Sequence, residues 1–314
     1  VQVILFDLLV VVILFALIAW KDTRDSIISE KILVALLLTT SLTTTIATGV
    51  YIDNVYSFNF TDTPSNYQSS IDDNNGDEFD KARIAFFNKL YDNKRYSLIS
   101  ETITESDPDI IALAEFTTDD LDEIAALENY PYRYEKISRT YEGYEVGLSL
   151  YSKDLLQVYE LDMETRKELR ELPIIHAVID TEVSDDPINL IAVHTTAPVI
   201  PSFYARRNEQ LQGLSDYINE LPSEAQKNLV LIGDFNLSPW SPQFRTFTSD
   251  TKSIVNAAQG QGLYFSWSYD SLPLFYSHID HIFISKQLSY NNFRSATDRA
   301  GSDHYLIYVD IYGN

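Results

Sequence analysis

The chain has 314 residues, of which 45% are hydrophobic, 13% aromatic and 22% charged, a globular balance that excludes wholesale disorder. A formal charge of −23 disfavours sequence-independent binding of nucleic acid through a basic face, yet leaves phosphate substrates open, because a bound divalent metal reverses the local field. Cys is absent, which excludes thiolate catalysis, Cys-ligated zinc and disulfide stapling.

The first residue is Val1 rather than Met, so a fragment or processed product is expected. Residues 1–20 carry one charge, Asp7, and residues 32–52 are uncharged and Thr-rich. Each stretch reaches the ~20 apolar residues that a bilayer-spanning helix needs. Two transmembrane helices are therefore expected within 1–52, joined by a short loop at 21–31. The first stretch lacks the basic start and small-residue cleavage site of a signal peptide. Lys21, Arg24 and Lys31 flank or lie within the loop, and no further Lys or Arg occurs until Lys81. That asymmetry puts the loop in the cytoplasm and everything after residue 52 outside it. The expected location is thus a membrane, with the main domain extracytoplasmic.

Residues 53–80, rich in Asn, Asp, Ser and Thr, read as a polar linker. The acidity lies beyond the apolar segments: residues 53–314 hold 20 basic and 42 acidic residues, a net of −22.

From Lys81 to the C-terminus, strands alternate with helices in a domain expected over 81–314. Apolar runs at 82–88, 109–116, 145–152, 175–180, 189–196, 229–232, 277–285 and 304–312 predict strands. Helical spacing of Leu98, Ile99 and Ile103 predicts a helix over 95–106, and a second, amphipathic helix is predicted over 203–222, stopped by Pro222. Many strands with few helices predict packed sheets with helices outside.

Asn88, Glu115, His194, Asp234, Asn236, Asp280, Asp303 and His304 each fall at or beside an end of one of these runs. Taken singly, each has an ordinary structural explanation: a turn, a surface ion pair, a satisfied core histidine. Strand ends and their loops are nevertheless where sites are assembled, since sheet interiors exclude unpaired polar groups. With no Cys or Ser nucleophile signature, the chemistry available is metal plus acid–base work. In GDFN, Gly233 is expected to permit a tight strand exit, and side-chain alternation to turn Asp234 and Asn236 to one side. Pro239 and Pro242 are expected to prevent further strand pairing.

The blocks FFN (86–88), DPDIIALAEF (107–116), VHTTAP (193–198), GDFNLSPWSP (233–242), SHIDHIFIS (277–285) and GSDHYLI (301–307) resemble, in order, the endonuclease/exonuclease/phosphatase (DNase I-like) superfamily. With the two apolar N-terminal segments, the wording GDFNLSPWSPQFR and LPLFYSHIDHIFIS is similar to its bacterial membrane-anchored branch. The resemblance implies an α/β fold, a four-layered α-β-β-α sandwich of two packed mixed sheets, preceded here by the transmembrane helices. It implies a membrane-anchored hydrolase cleaving phosphoester bonds, with Mg²⁺ or Mn²⁺ as cofactor. The substrate would be a lipid headgroup, a small molecule or nucleic acid; no protein partner is implied.

Carried onto this chain, the resemblance makes Glu115 the principal metal ligand, with Asn88 and Asp303 beside the metal or its waters. Asp234 would orient or deprotonate the attacking water, and Asn236 would hold that water and a phosphate oxygen. His304, paired with Asp280, and His194 would contact the phosphate. Arg206 and Arg207 could hold a substrate phosphate as paired donors. Trp240 and Trp267 read as packing residues and His281 as structural. Two departures stand out: Ala114 replaces the usual Gln before the Glu, and Lys89 and Leu90 follow Asn88 where a polar residue is common, with Asn93 a loose substitute. A metal-dependent nuclease and a catalytically inactive binding protein of the same fold are the competing readings.

Overall fold

The computed structural model describes residues 39–44, 46 and 81–312, apart from 142, 160, 162–168, 170, 171, 184, 185, 262, 263 and 270–275. The chain parts into two compact units, Val1–Thr63 and Pro64–Asn314. In the first, residues 39–44 are helical. There the Thr43 and Thr44 hydroxyls donate to carbonyls one turn back, at 2.8 and 2.9 Å. The first expected membrane segment, most of the second, and the linker at 53–80 lie outside the described residues. Among the described residues, no helix is long and apolar enough to cross a membrane.

The second unit is built on two six-stranded sheets. In chain order its elements are β1 (Lys81–Asn88), α1 (Tyr96–Ser106), β2 (Ile110–Thr117), β3 (Tyr132–Tyr141), β4 (Tyr144–Ser152), β5 (Leu156–Tyr159), β6 (Ile174–Ile179) and β7 (Ile188–His194). They continue with α2 (Pro201–Glu220), α3 (Ser223–Lys227), β8 (Leu229–Asp234), α4 (Pro242–Asp250) and β9 (Ile254–Asn256). The last are β10 (Trp267–Ser268), β11 (Tyr276–Ser277), β12 (Asp280–Ser285), β13 (Ser289–Ser295) and β14 (Ile307–Tyr312). One sheet runs β13-β14-β1-β2-β4-β3 and the other β5-β6-β7-β8-β12-β9, with β10 and β11 forming a separate ribbon. Each large sheet is mixed, with one parallel pair at its centre: β1 with β2, and β7 with β8.

Side-chain alternation sorts the strands into four layers. Ile84 and Phe86 of β1 join Ala112, Ala177, Leu190, Val230 and Ile282 in a buried core drawn from both sheets. Their neighbours Ala85 and Phe87 face the other way, against Ile99 and Ile103 of α1. On the far face of the second sheet, Ile191, Leu231 and Phe283 pack on Leu211 and Leu214 of α2 and Phe244 and Phe247 of α4. The expected α-β-β-α sandwich follows, with each buried aliphatic side chain stabilising it by ~1.5–3 kcal/mol.

Four elements differ from the sequence expectation. Pro242 does not merely end strand pairing: it occupies the first turn of α4, capped by Ser241 Oγ, which accepts from Phe244 N at 3.1 Å. The run at 277–285 divides between the short ribbon and β12, and the last strand begins at Ile307 rather than 304. The long helix starts two residues earlier than expected, with Pro201 in its first turn, and ends before Pro222.

His176 lies on β6 beneath α2, only 3% exposed, with Nδ1 bonded to the Tyr217 hydroxyl and its ring 5.0 Å from that of Tyr159. Burial pulls it down from 6.5 to about 4. The unfolded chain therefore binds this proton below about pH 6.5, whereas the folded protein resists it until about pH 4. Stability should fall as pH drops through that window, by about 3 kcal/mol from this residue. Urea midpoints measured between pH 7 and 4.5 should drop less steeply in His176→Phe than in the wild type; parallel profiles would contradict this.

Candidate active site

The topology brings distant positions to one rim. Because β1 and β2 are parallel, Asn88 and Glu115 both stand at C-terminal ends; because β7 and β8 are parallel, His194 lies opposite Asp234. Strand β12 is antiparallel to β8 and begins at Asp280, also opposite Asp234. Strand β14 is antiparallel to β1 with Ile307 opposite Phe86, so the segment holding Asp303 and His304 arrives beside Asn88. Close strand approach requires Gly233: a Cβ there would sit 2.1 Å from the Val193 carbonyl oxygen. This glycine lies within β8, so its use is room for β7 rather than a turn out of the strand.

Two further residues depend on backbone irregularities. Between Ala114 and Phe116 the β2–β4 register shifts, and Glu115 adopts φ 54°. Such a bulge re-aims a side chain that regular alternation would send elsewhere. Asn236 is not a strand residue; β8 ends at Asp234, and Asn236 takes φ 47° in the following loop. Its amide N–H donates to Asp234 Oδ1 at 2.8 Å and its Nδ2 to Thr195 O at 3.0 Å. A local turn, not alternation, therefore brings Asp234 and Asn236 together.

Asp234 is the hub, with 2% exposure. Its Oδ2 accepts from Asn88 Nδ2 at 3.2 Å and lies 3.7 Å from His194 Nε2 and 3.8 Å from His304 Nε2. Asn88 Nδ2 also meets Glu115 Oε1 at 3.2 Å, and His194 Nε2 stands 4.0 Å from that same oxygen. Glu115 Oε2 accepts the Tyr91 backbone N–H at 3.0 Å. His304 Nδ1 bonds Asp280 Oδ2 at 2.8 Å, and its Nε2 is 3.9 Å from Asp303 Oδ1. The eight strand-end residues thus form one contiguous cluster.

Burial works against charge on His304, but the Asp280 charge and hydrogen bond outweigh it, with Asp234 and Asp303 adding, and the imidazole is pushed up to about 10. It is therefore protonated at neutral pH. Burial, reinforced by Asp280, pushes Asp234 above the usual carboxylate range, while His304 and the hydrogen bonds from Asn236 and Asn88 pull it down. Asp234, Asp280 and His304 hold ligand-type atoms within 4.8 Å of one another. That trio is a poor cation cage all the same, because a protonated imidazole clamped by Asp280 has no lone pair to give. Glu115 supplies carboxylate oxygens at an edge where its side chain is 20% exposed, while Asn88 turns Nδ2 toward that carboxylate and accepts the Leu90 amide with Oδ1 at 3.1 Å. Asp303 adds Oδ1, which has no hydrogen-bond partner among the described residues. The two carboxylates, Glu115 and Asp303, suit a hard divalent cation that keeps several waters, to which the Asn88 amide can donate.

The two arginines do not form a paired clamp. Arg206 is exposed, whereas Arg207 is buried, with Nη1 donating to Asn236 O and Nε to Asn208 Oδ1 at 3.0 Å. Arg207 braces the loop after Asp234. His281 is buried between Leu237 O at Nε2 and Asn256 at Nδ1, a structural arrangement. Trp267, expected only to pack, donates Nε1–H to Asp303 Oδ2 at 2.8 Å. Two serines were also missed. Ser266 Oγ accepts from the Ile279 and Asp280 amides, and Ser302 Oγ donates to Asn88 O at 2.7 Å while accepting from His304 N. Ser302 sits inside the GSDH block, which was its one available signal.

Residues 54–304 match the model of the Endonuclease/Exonuclease/phosphatase family. No curated protein matches the chain in sequence. Among solved structures, the human Nocturnin catalytic domain with bound sulfate is 17% identical at a TM-score of 0.57, covering 74% of this chain and 94% of that one. TDP2 from D. rerio, complexed with a single-strand DNA product, is 16% identical at 0.56, covering 74% and 98%. A variant of beta toxin from Staphylococcus aureus with bound magnesium ions is 17% identical at 0.52, covering 75% and 100%. At these identities the structural likeness establishes the sandwich fold.

The dependence of His304 on Asp280 can be read directly. In metal-free protein, an NMR titration should find the imidazole protonated past pH 8, and Asp280→Asn should lower its midpoint by at least about two units. An unchanged midpoint would show that Asp280 does not hold the proton.

Proposed function

The chain belongs to the Endonuclease/Exonuclease/phosphatase family, and from that premise we propose that it is a divalent-metal-dependent phosphoesterase hydrolysing a phosphodiester with water. The observation that carries this reading is Asp234 Oδ2, gathered with Asn88, His194 and His304 around one point beside Glu115. Glu115 and Asp303 would hold Mg²⁺ or Mn²⁺, with Asn88 beside the ion or its waters; the ion when bound supplies positive charge that offsets the negative charge developing on the phosphoryl oxygens.

The side chains do the remaining work. Asp234, fixed at Oδ1 by the Asn236 amide, turns Oδ2 to the attacking water and takes its proton, a role that suits a carboxylate with a raised pKa. Protonated His304, held by Asp280, donates from Nε2 to a phosphoryl oxygen. His194 contacts the phosphate on the other side of Asp234 and assists the leaving group. Asn236 has two Nδ2 hydrogens; one meets Thr195 O, and the second is assigned to the water or a phosphoryl oxygen. This complete set of polar groups argues against an inactive binding protein.

We propose further that the segments at 1–20 and 32–52 anchor the catalytic unit to a membrane, as in the bacterial membrane-anchored branch, with the site outside the cytoplasm. Their length and the Lys/Arg asymmetry support this. A lipid headgroup or small phosphodiester is the preferred substrate. The net charge of −22 over residues 53–314 supports that preference over a long polyanion, as do exposed Val199, Ile200, Phe203 and Tyr204 shortly after His194.

Hydrolysis of bis(p-nitrophenyl) phosphate should require Mg²⁺ or Mn²⁺ and fall by ~10²-fold or more in Glu115→Ala and in Asp234→Ala. Activity that needs no metal, or survives both substitutions, would defeat the proposal. On the natural class of substrate, raising salt from about 50 to 200 mM should change cleavage little for a headgroup, whereas extended nucleic acid would lose orders of magnitude in affinity.

A further inference from the structure

Lys89 follows Asn88 directly and is fully buried, an unusual place for an ammonium group. Its Nζ lies 3.0 Å from Asp120 Oδ2, and Asp120 is equally buried. Asp120 belongs to the short turn Thr118–Asp120 that follows β2, and its Oδ2 also accepts the Thr117 amide at 2.6 Å and hydroxyl at 2.7 Å. The pair therefore bolts the chain just after Asn88 to the chain just after Glu115. As a source of stability alone it is a poor choice, since desolvating two charges offsets most of their attraction and a packed apolar pair would serve as well.

Its geometry has a more specific consequence. Lys89 Nζ donates to Leu90 O at 3.1 Å. That carbonyl shares one planar peptide unit with the Tyr91 N–H, which donates to Glu115 Oε2 at 3.0 Å. The ammonium thus grips one end of the peptide whose other end grips the carboxylate. Leu90 has φ 66°, a conformation that a non-glycine residue holds only where its surroundings impose it. We propose that Lys89 is a positioning residue for Glu115, fixing the Leu90–Tyr91 peptide so that the carboxylate is presented to the cation. The cation part of this inference rests on the metal-dependent reading above; the peptide part does not.

The test compares wild type, Asp120→Asn, and the double variant Lys89→Met/Asp120→Asn. The double variant removes both buried charges, while the introduced side-chain amide keeps a carbonyl oxygen that can accept from Thr117. Hydrogen exchange at the Tyr91 amide in metal-free protein and Mn²⁺ binding by calorimetry are read alongside urea unfolding. In the double variant, Tyr91 protection should fall at least tenfold and the Mn²⁺ dissociation constant should rise about tenfold, with the fold retained. Asp120→Asn strips the buried ammonium of its counter-charge but leaves Leu90 O as its acceptor, so it should weaken Tyr91 protection and Mn²⁺ affinity less than the double variant does.

Unchanged Tyr91 protection in the double variant overturns the inference, whatever happens to Mn²⁺ affinity. Failure of the double variant to fold overturns it too, since the pair would then be holding the fold rather than the ligand. A wild type that binds no Mn²⁺, while Tyr91 protection still depends on Lys89, would refute the metal reading and leave the peptide contact standing.

Discussion

Everything at the rim answers to one constraint: Asp234 is a carboxylate kept almost entirely from water. An isolated buried charge of that kind is prohibitively costly, so it exists only with partners on every side. Those partners come from each neighbouring strand end: Asn88 from β1, His194 from β7, the Asn236 amide from its own loop, and His304 from the segment before β14. The second buried acid, Asp280, is neutralised by the same imidazole. Two acids and one imidazolium thus hold one another in place.

The sandwich exists to make such crowding possible. Each sheet carries a single parallel pair, and parallel strands deliver both C-terminal ends to the same side. An antiparallel neighbour then returns its N-terminal end to that side, as β12 and β14 do. The aliphatic core between the sheets supplies the rigidity, and the polar groups occupy the first positions where it ends. Function follows from that boundary, since a dry and preorganised set of donors stabilises developing charge better than water does.

Much of this was legible in the sequence because buried strands announce themselves as apolar runs, and a run ending in Asn, Glu, His or Asp places that residue at the rim. Packed sheets with outer helices and the strand-end positions of the eight residues could be read in that way, whereas the four layers and the shared site were implied by the family resemblance. Edge strands could not. Leu156–Tyr159 and Ser289–Ser295 are half-exposed and mixed in polarity, so no run marks them. Nor does any sequence pattern reveal a bulge at Glu115, and the alternation argument for Asp234 and Asn236 reached the right neighbours by the wrong route. Lys89 looked like a mere departure from a family pattern. Its partner Asp120 lies 31 positions away, on a turn whose approach only the tertiary structure determines. The tryptophan judged to be packing proved to be a donor to Asp303.

The central claim is that Glu115 and Asp303 hold a divalent cation beside Asn88 while the Asp280–His304 pair holds a proton. Crystals soaked in Mn²⁺ and measured at its absorption edge test that division most directly. The account predicts anomalous density in the cleft bordered by Glu115, Asn88 and Asp303. Density bound instead by His304 and Asp280, or none anywhere along the rim at saturating Mn²⁺, would contradict it.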